Sequence, residues 1–183
     1  NLTTLYSHID DDGPSKKSFH IYTSFQTNDI LAFLIKRNGT ENGDNNGLSL
    51  LDVTITDEFV TPADPNTGPW ELNVDTDATE VDNGIWSYGW SDEHLANFTL
   101  MDTFIISDQG NNLWHSLAAG GTITPHVLYK TILDGQFGVP VNWHGMQPPA
   151  DDSQAVWTRI RWKAPNTMIG KTLNVQGDRK SGV

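Results

Sequence analysis

Three aromatic residues that alternate along one segment are the first candidates for ligand chemistry. Trp86, Tyr88 and Trp90 occupy every second position, so a β-strand would project all three from one face. Aromatic rings in a row can stack on the apolar faces of sugars, and Trp70 and Trp143 in nearby loops could extend the platform. The pattern predicts carbohydrate binding. Its alternative is that these large side chains pack into the protein core.

Acidic loops form a second candidate site. Ca²⁺ binds about six to eight oxygen ligands, and the carboxylates that could supply them are Asp10, Asp12, Asp75, Asp77, Glu80 and Asp82. The spacing differs from that of an EF-hand, since a loop starting at Asp75 has Glu80 where the EF-hand requires glycine. We predict calcium binding by these loops. The alternative is that the aspartates accept hydrogen bonds from their own turn backbones.

Histidine offers a third chemistry, because imidazole binds zinc and copper. The six histidines form no closely spaced metal-binding motif, so such a site would have to assemble from distant positions. The sequence contains no nucleophile elbow, phosphate-binding loop or dinucleotide-binding motif, which argues against catalysis. Asp52 and Asp102 interrupt apolar segments, where a buried carboxylate would need a partner or a metal.

Charge is distributed unevenly along the chain, whose formal net charge is −12. Residues 38–129 contain fifteen Asp or Glu and no Lys or Arg, whereas from Ser153 onward six Lys or Arg accompany only Asp178. An acidic balance disfavours binding to nucleic-acid phosphates. Opposite charge at two ends instead permits head-to-tail association of copies. The alternative is that the basic strands pair with acidic strands inside one domain.

The apolar pattern predicts which elements would carry these residues. Apolar and polar residues alternate, as in β-strands, over 18–25, 48–56, 85–90, 98–107 and 155–163. Residues 111–119 are the best helix candidate, with asparagine available as a cap and Gly120-Gly121 as a stop. We predict an all-β fold, an antiparallel β-sandwich or jelly roll with at most one or two short helices. The alternative is an α+β fold.

The length and composition of the chain limit the number of domains and the classes of function that we expect. We expect residues 1–183 to form one β-rich domain whose tail, 179–183, is frayed. The chain has no cysteine, which says little about its compartment, and no apolar run long enough to span a membrane. It also lacks an initiator methionine, which hints at a processed protein outside the cell or on its surface. We predict a glycan-binding module aided by calcium. The alternatives are a structural subunit of an extracellular or viral assembly, contacting like subunits, and a histidine-based metal-binding protein.

Overall fold

The computed structural model describes residues 4–5, 7, 16–26, 29–35, 49–57, 70–75, 80–92, 97–106, 112–116, 126–129, 144–147 and 156–181. Within these ranges the protein is built from antiparallel strands. They are β1 (Lys16–Ser24), β2 (Ile30–Ile35), β3 (Ser49–Asp57), β4 (Trp70–Glu71), β5 (Trp86–Ser91), β6 (Thr99–Leu100), β7 (Thr103–Ile106), β8 (Asn112–His115), β9 (His126–Tyr129), β10 (His144–Gln147), β11 (Trp157–Lys163) and β12 (Thr172–Ser181).

The first strand pairs with the last, and strands further along the chain pair with strands that come progressively earlier before its end. β1 pairs with β12, β2 with β11, β3 with β10 and β5 with β6. The large sheet has the order β1-β12-β3-β10-β9-β8-β7, with β4 added to β3, and the small sheet has the order β2-β11-β5-β6. A long hairpin rolled into two facing sheets is the jelly roll. The predicted all-β sandwich or jelly roll is therefore confirmed.

Three strands between β6 and β10 extend the large sheet beyond the nested pairs. The chain leaves the small sheet after Leu100, passes Met101 and Asp102, and enters the large sheet as β7. The single strand expected over 98–107 is therefore two strands in different sheets. The helix expected over 111–119 is wrong for residues 112–115, because these pair with both β7 and β9 as β8.

The core lies between the sheets and explains the alternation in the sequence. Val53 and Ile55 on β3 face Ile160 and Trp162 on β11, and all four are fully buried. The Phe25 ring packs edge-on against Trp162 at 5.3 Å between centroids. Removing this apolar surface from water is the main force that holds the two sheets together.

Helical structure in the described ranges is limited to short pieces. The α1 turn spans Leu72–Asp75, and a 3₁₀ turn spans Asn166–Met168. Each anchors one buried apolar side chain, Leu72 or Met168, so the α+β alternative does not apply. β12 continues through Ser181, and the frayed tail expected over 179–183 stays a prediction. In the described ranges, no helix is long and apolar enough to cross a membrane.

Candidate functional site

The predicted aromatic platform falls largely inside the protein. Trp86 and Tyr88 do share one face of β5, as the spacing predicted, but each is only 1% exposed. That face points into the core, so neither ring is available to stack on a sugar in this structure. Trp90 is half-buried. The side chain of Trp70 and the whole of Trp143 lie outside the described residues.

In the acidic loop before β5, side-chain oxygens accept hydrogen bonds from backbone N–H groups of the same loop. The Asp82 carboxylate accepts a hydrogen bond from the Gly84 N–H at 2.8 Å. The Asn83 side-chain oxygen accepts from the N–H groups of Ile85 and Trp86 at 3.1 and 2.7 Å. Asp82 therefore agrees with the alternative to calcium binding, in which an aspartate accepts hydrogen bonds from its own turn backbone.

The calcium hypothesis stays a prediction. Glu80 is exposed, whereas Asp10, Asp12 and Asp77, together with the side chain of Asp75, lie outside the described residues. Among the described side chains, no three His, Asp or Glu come together in a group that could hold a metal ion.

A buried chain of hydrogen bonds joins the two sheets. The Asn73 Nδ2 donates to Asp52 Oδ1 at 2.8 Å and to the Leu51 carbonyl at 3.4 Å. Its Oδ1 receives the His144 backbone N–H at 3.0 Å and lies 2.7 Å from His144 Nδ1. On the far side of the ring, His144 Nε2 lies 2.7 Å from the Tyr88 hydroxyl. The polar chain therefore runs from β3 through α1 and β10 to β5.

The partners fix the protonation of His144. Because Asn73 uses its amide protons on Asp52 and Leu51, its oxygen faces the imidazole and Nδ1 carries the hydrogen. Nε2 is then the acceptor for the Tyr88 hydroxyl. Burial lowers the pKa of His144 to about 3, so the ring is neutral. Since the whole residue is 0% exposed, it acts here as a link between sheets and not as a base that meets a substrate.

The histidine-based metal alternative stays a prediction. His115 on β8 is paired with His126 on β9 in the strand register, but the side chain of His126 lies outside the described residues. The His20 ring lies 4.8 Å from the Tyr22 ring. The described side chains contain no group of three potential metal ligands.

Basic residues gather at one corner of the large sheet, where β1 begins and β12 ends. The register sets Lys16 opposite Lys180 and Lys17 opposite Arg179. The next pair is Ser18 and Asp178, whose side chains form a hydrogen bond of 2.6 Å. We call these four basic residues the cationic corner. Like charges directly opposite each other on neighbouring strands destabilise the pair. Just before the other end of β12, Lys171 forms an ion pair with Asp57 of β3 at 2.9 Å, as the alternative of basic strands pairing with acidic strands inside one domain expects.

The opposite end of the large sheet carries one described carboxylate and exposed apolar side chains. β7 is the last strand in the order and presents Ile106, which is 66% exposed. Asp102 precedes it and is exposed, and its carboxylate accepts hydrogen bonds from Thr103 and Ser116 at 3.0 and 3.3 Å. Asp102 thus finds hydroxyl partners. We call this end of the sheet, from Asp102 to Ile106, the β7 edge.

Sequence reasoning found parts of these features and missed their assembly. Asp52 and Tyr88 stood out as single residues, but Asn73 and His144 carry no local pattern that would connect them. The cationic corner depends on the register of the first strand against the last. Charge counting located its basic carboxyl-terminal half and not its partner on β1.

Comparisons with known proteins give no family for this chain. No family model, no curated protein and no solved structure matches it. Its function must therefore be argued from the chemistry of its own residues.

Proposed function

We propose that the protein is a structural subunit that associates head to tail with copies of itself in an extracellular or virion-type assembly. The observation that carries the proposal is the register of β1 on β12, which concentrates four basic residues in an otherwise acidic protein. Jelly rolls build viral capsids and also lectin domains and cupins. The fold therefore permits this role without selecting it.

The cationic corner favours an anionic partner. Lys16 with Lys180, and Lys17 with Arg179, hold like charges on directly opposed positions of two paired strands. Repulsion within the corner weakens the β1–β12 pair, and Asp178, in the next register pair, is one carboxylate against four basic residues. An acidic surface docked there would relieve that repulsion and gain favourable contacts of its own.

A second copy of the chain fits that partner. Residues 38–129 of each copy contain fifteen carboxylates and no Lys or Arg, and of these carboxylates Asp57 is already paired with Lys171 at 2.9 Å. The β7 edge belongs to this acidic part and stands at the other end of the large sheet from β1. A contact between two different surfaces leaves one of each free, so it can propagate into a ring, a filament or a shell.

Net repulsion between copies limits the conditions for association. With a net charge of −12, two copies repel at long range in dilute salt. The Debye length is about 10 Å at 0.1 M salt and about 3 Å at 1 M. Near 0.1 M, distant charges are screened while charges in contact still attract. Association should therefore be strongest near 0.1 M and weak at 1 M salt.

Sedimentation velocity over a range of concentrations tests the proposal. We expect the wild-type protein to form species larger than a monomer near 0.1 M salt and to dissociate near 1 M. Neutralising the corner with K16Q/K17Q should shift the equilibrium at least tenfold toward monomer. The matched control is K163E, which lowers the net charge equally but alters an exposed lysine on β11 of the small sheet. K163E should associate like the wild type.

Mixing distinguishes head-to-tail contact from symmetric pairing. The K16Q/K17Q variant retains its acidic surface, so it should cap growing wild-type assemblies and reduce their mean size. A wild-type protein that remains monomeric at every salt concentration would overturn the proposal. Equal loss of association in K16Q/K17Q and K163E would also do so, since it would show an effect of net charge alone.

A further inference from the structure

The outer face of the small sheet brings arginine and phenylalanine together. On β11, Thr158, Ile160 and Trp162 are fully buried against the core, so strand alternation assigns Arg159 and Arg161 to the opposite face. The Phe98 ring lies on that face, with the guanidinium carbon of Arg161 4.1 Å from its centroid and that of Arg159 at 5.5 Å. Both distances allow cation–π attraction.

Gly89 on β5 makes room for this ring. A Cβ atom at position 89 would clash with the Thr99 carbonyl oxygen and would lie 2.5 Å from the Phe98 ring. Only glycine therefore allows Phe98 to lie this close to β5. The ring in turn contacts the guanidinium of Arg161.

The two arginines are engaged in different ways. Arg159 is 4% exposed and donates from Nη1 to the Ser91 hydroxyl at 2.6 Å. Arg161 is half-buried and contacts the Phe98 ring, but within the described residues it makes no hydrogen bond. Its N–H groups are therefore available to a ligand. A guanidinium held in one plane can bind a carboxylate through two parallel hydrogen bonds.

The neighbours of Arg161 favour a small hydroxylated monoanion. Ser87 stands directly opposite Arg161 on β5 and Ala32 stands opposite it on β2, so short side chains flank the guanidinium on both sides. Burial lowers the pKa of Arg161, and the Asp82 carboxylate opposes that lowering. Asp82 also forms a β-bridge with Ser87, so one negative charge lies beside the site and repels a ligand with two charges more strongly than a ligand with one.

We propose that this face binds the carboxylate of an acidic sugar, a uronic acid, through the guanidinium of Arg161 supported by Phe98. Ser87 is placed to bond a sugar hydroxyl. The site is independent of the assembly role, because the cationic corner belongs to the other sheet. It also differs from the aromatic platform that the sequence suggested, since Trp86 and Tyr88 are buried.

Titration of the purified full chain with small probes tests the proposal, followed by NMR or calorimetry. D-Glucuronate should bind with a dissociation constant of about 1 mM, as expected for one exposed subsite. D-Glucose, which lacks the carboxylate, should show no binding. Inorganic sulfate should bind at least tenfold more weakly. Equal binding of sulfate and glucuronate would overturn the proposal in favour of a general anion site, and absence of glucuronate binding would reject it outright.

Variants locate the site. R161K keeps the charge and loses the planar fork, so glucuronate binding should weaken at least tenfold. F98L removes the supporting ring and should weaken binding less. K163Q, on the same strand and outer face, is the matched control and should bind as the wild type does. Equal affinity in R161K and wild type would contradict the assignment. The K16Q/K17Q variant should bind glucuronate normally, which separates this test from the assembly test.

Discussion

A single histidine illustrates how burial decides chemistry at the scale of one residue. His144 has the ring that could serve a metal or an acid–base step, yet Asn73 and Tyr88 occupy both of its nitrogens. A charged imidazole there would lose hydration and also lose its acceptor for the Tyr88 hydroxyl. The protein therefore keeps this histidine neutral, and that preference makes stability depend on pH.

We expect the free energy of unfolding to fall as pH drops below about 6.5. The pKa of His144 is about 3 in the folded protein and 6.5 is its ordinary value. Between these values the unfolded chain takes up a proton at His144 and the folded protein does not. Stability therefore rises with pH through this window, by up to about 1.4 kcal/mol per pH unit, and is complete above it. Urea unfolding at several pH values between about 5 and 7 measures the slope.

His144→Gln is the control for that slope. Glutamine cannot titrate, so the variant should be less stable at pH 7 but should lose the part of the pH dependence that comes from position 144. Carboxylates contribute equally to both proteins in the comparison. Identical slopes in wild type and variant would show that His144 is not the group responsible.

At the scale of elements, close strand contacts depend on particular glycines. Gly89→Ala places a Cβ atom against the Thr99 carbonyl oxygen and the Phe98 ring, which β5 and β6 cannot accommodate without moving apart. We expect a loss of stability of about 1–3 kcal/mol or more. Chemical denaturation measures it. Ser87→Ala, on the same strand, is the control and should change stability by less than about 0.5 kcal/mol.

The alternation of apolar and polar residues predicted strands well where one face of the strand is buried. Residues 18–25, 48–56 and 155–163 show it, and the structure has β1, β3 and β11 there. The helix predicted over 111–119 is wrong for residues 112–115, because asparagine and glycine in this segment resemble helix ends. Pairing with β7 and β9 on both sides decides the conformation of β8, and such long-range contacts override local preference.

The sequence predicted the candidate sites less well than it predicted the strands. The aromatic spacing predicted a shared face for Trp86 and Tyr88, but a periodic pattern does not say whether that face meets the core or solvent. The alternation over 155–163 placed Arg159 and Arg161 on one face of a strand. Their contact with Phe98 depends on Gly89 and on the pairing of β5 with β6, neither of which leaves a local signal.

At the scale of the whole molecule, the nested topology sets the folding rate. The outermost pair, β1 with β12, joins the two ends of the described fold, and the pairs β2 with β11 and β3 with β10 also close long loops. Domains dominated by such distant contacts fold in milliseconds to seconds or slower. Stopped-flow dilution from urea, followed by tryptophan fluorescence from the buried Trp86 and Trp162, should show this. Folding in microseconds would contradict it.

The pairing of the first strand with the last also has a mechanical consequence. β1 starts beside the end of β12 and runs antiparallel to it, with Lys16 facing Lys180. A force applied to the two ends would therefore pull the strands apart like a zipper, one hydrogen bond after another, instead of shearing many bonds at once. Tension would open the domain first at its most repulsive point. A neighbouring subunit bound there would hold both ends and give the assembled protein a resistance to stretching that the single copy lacks.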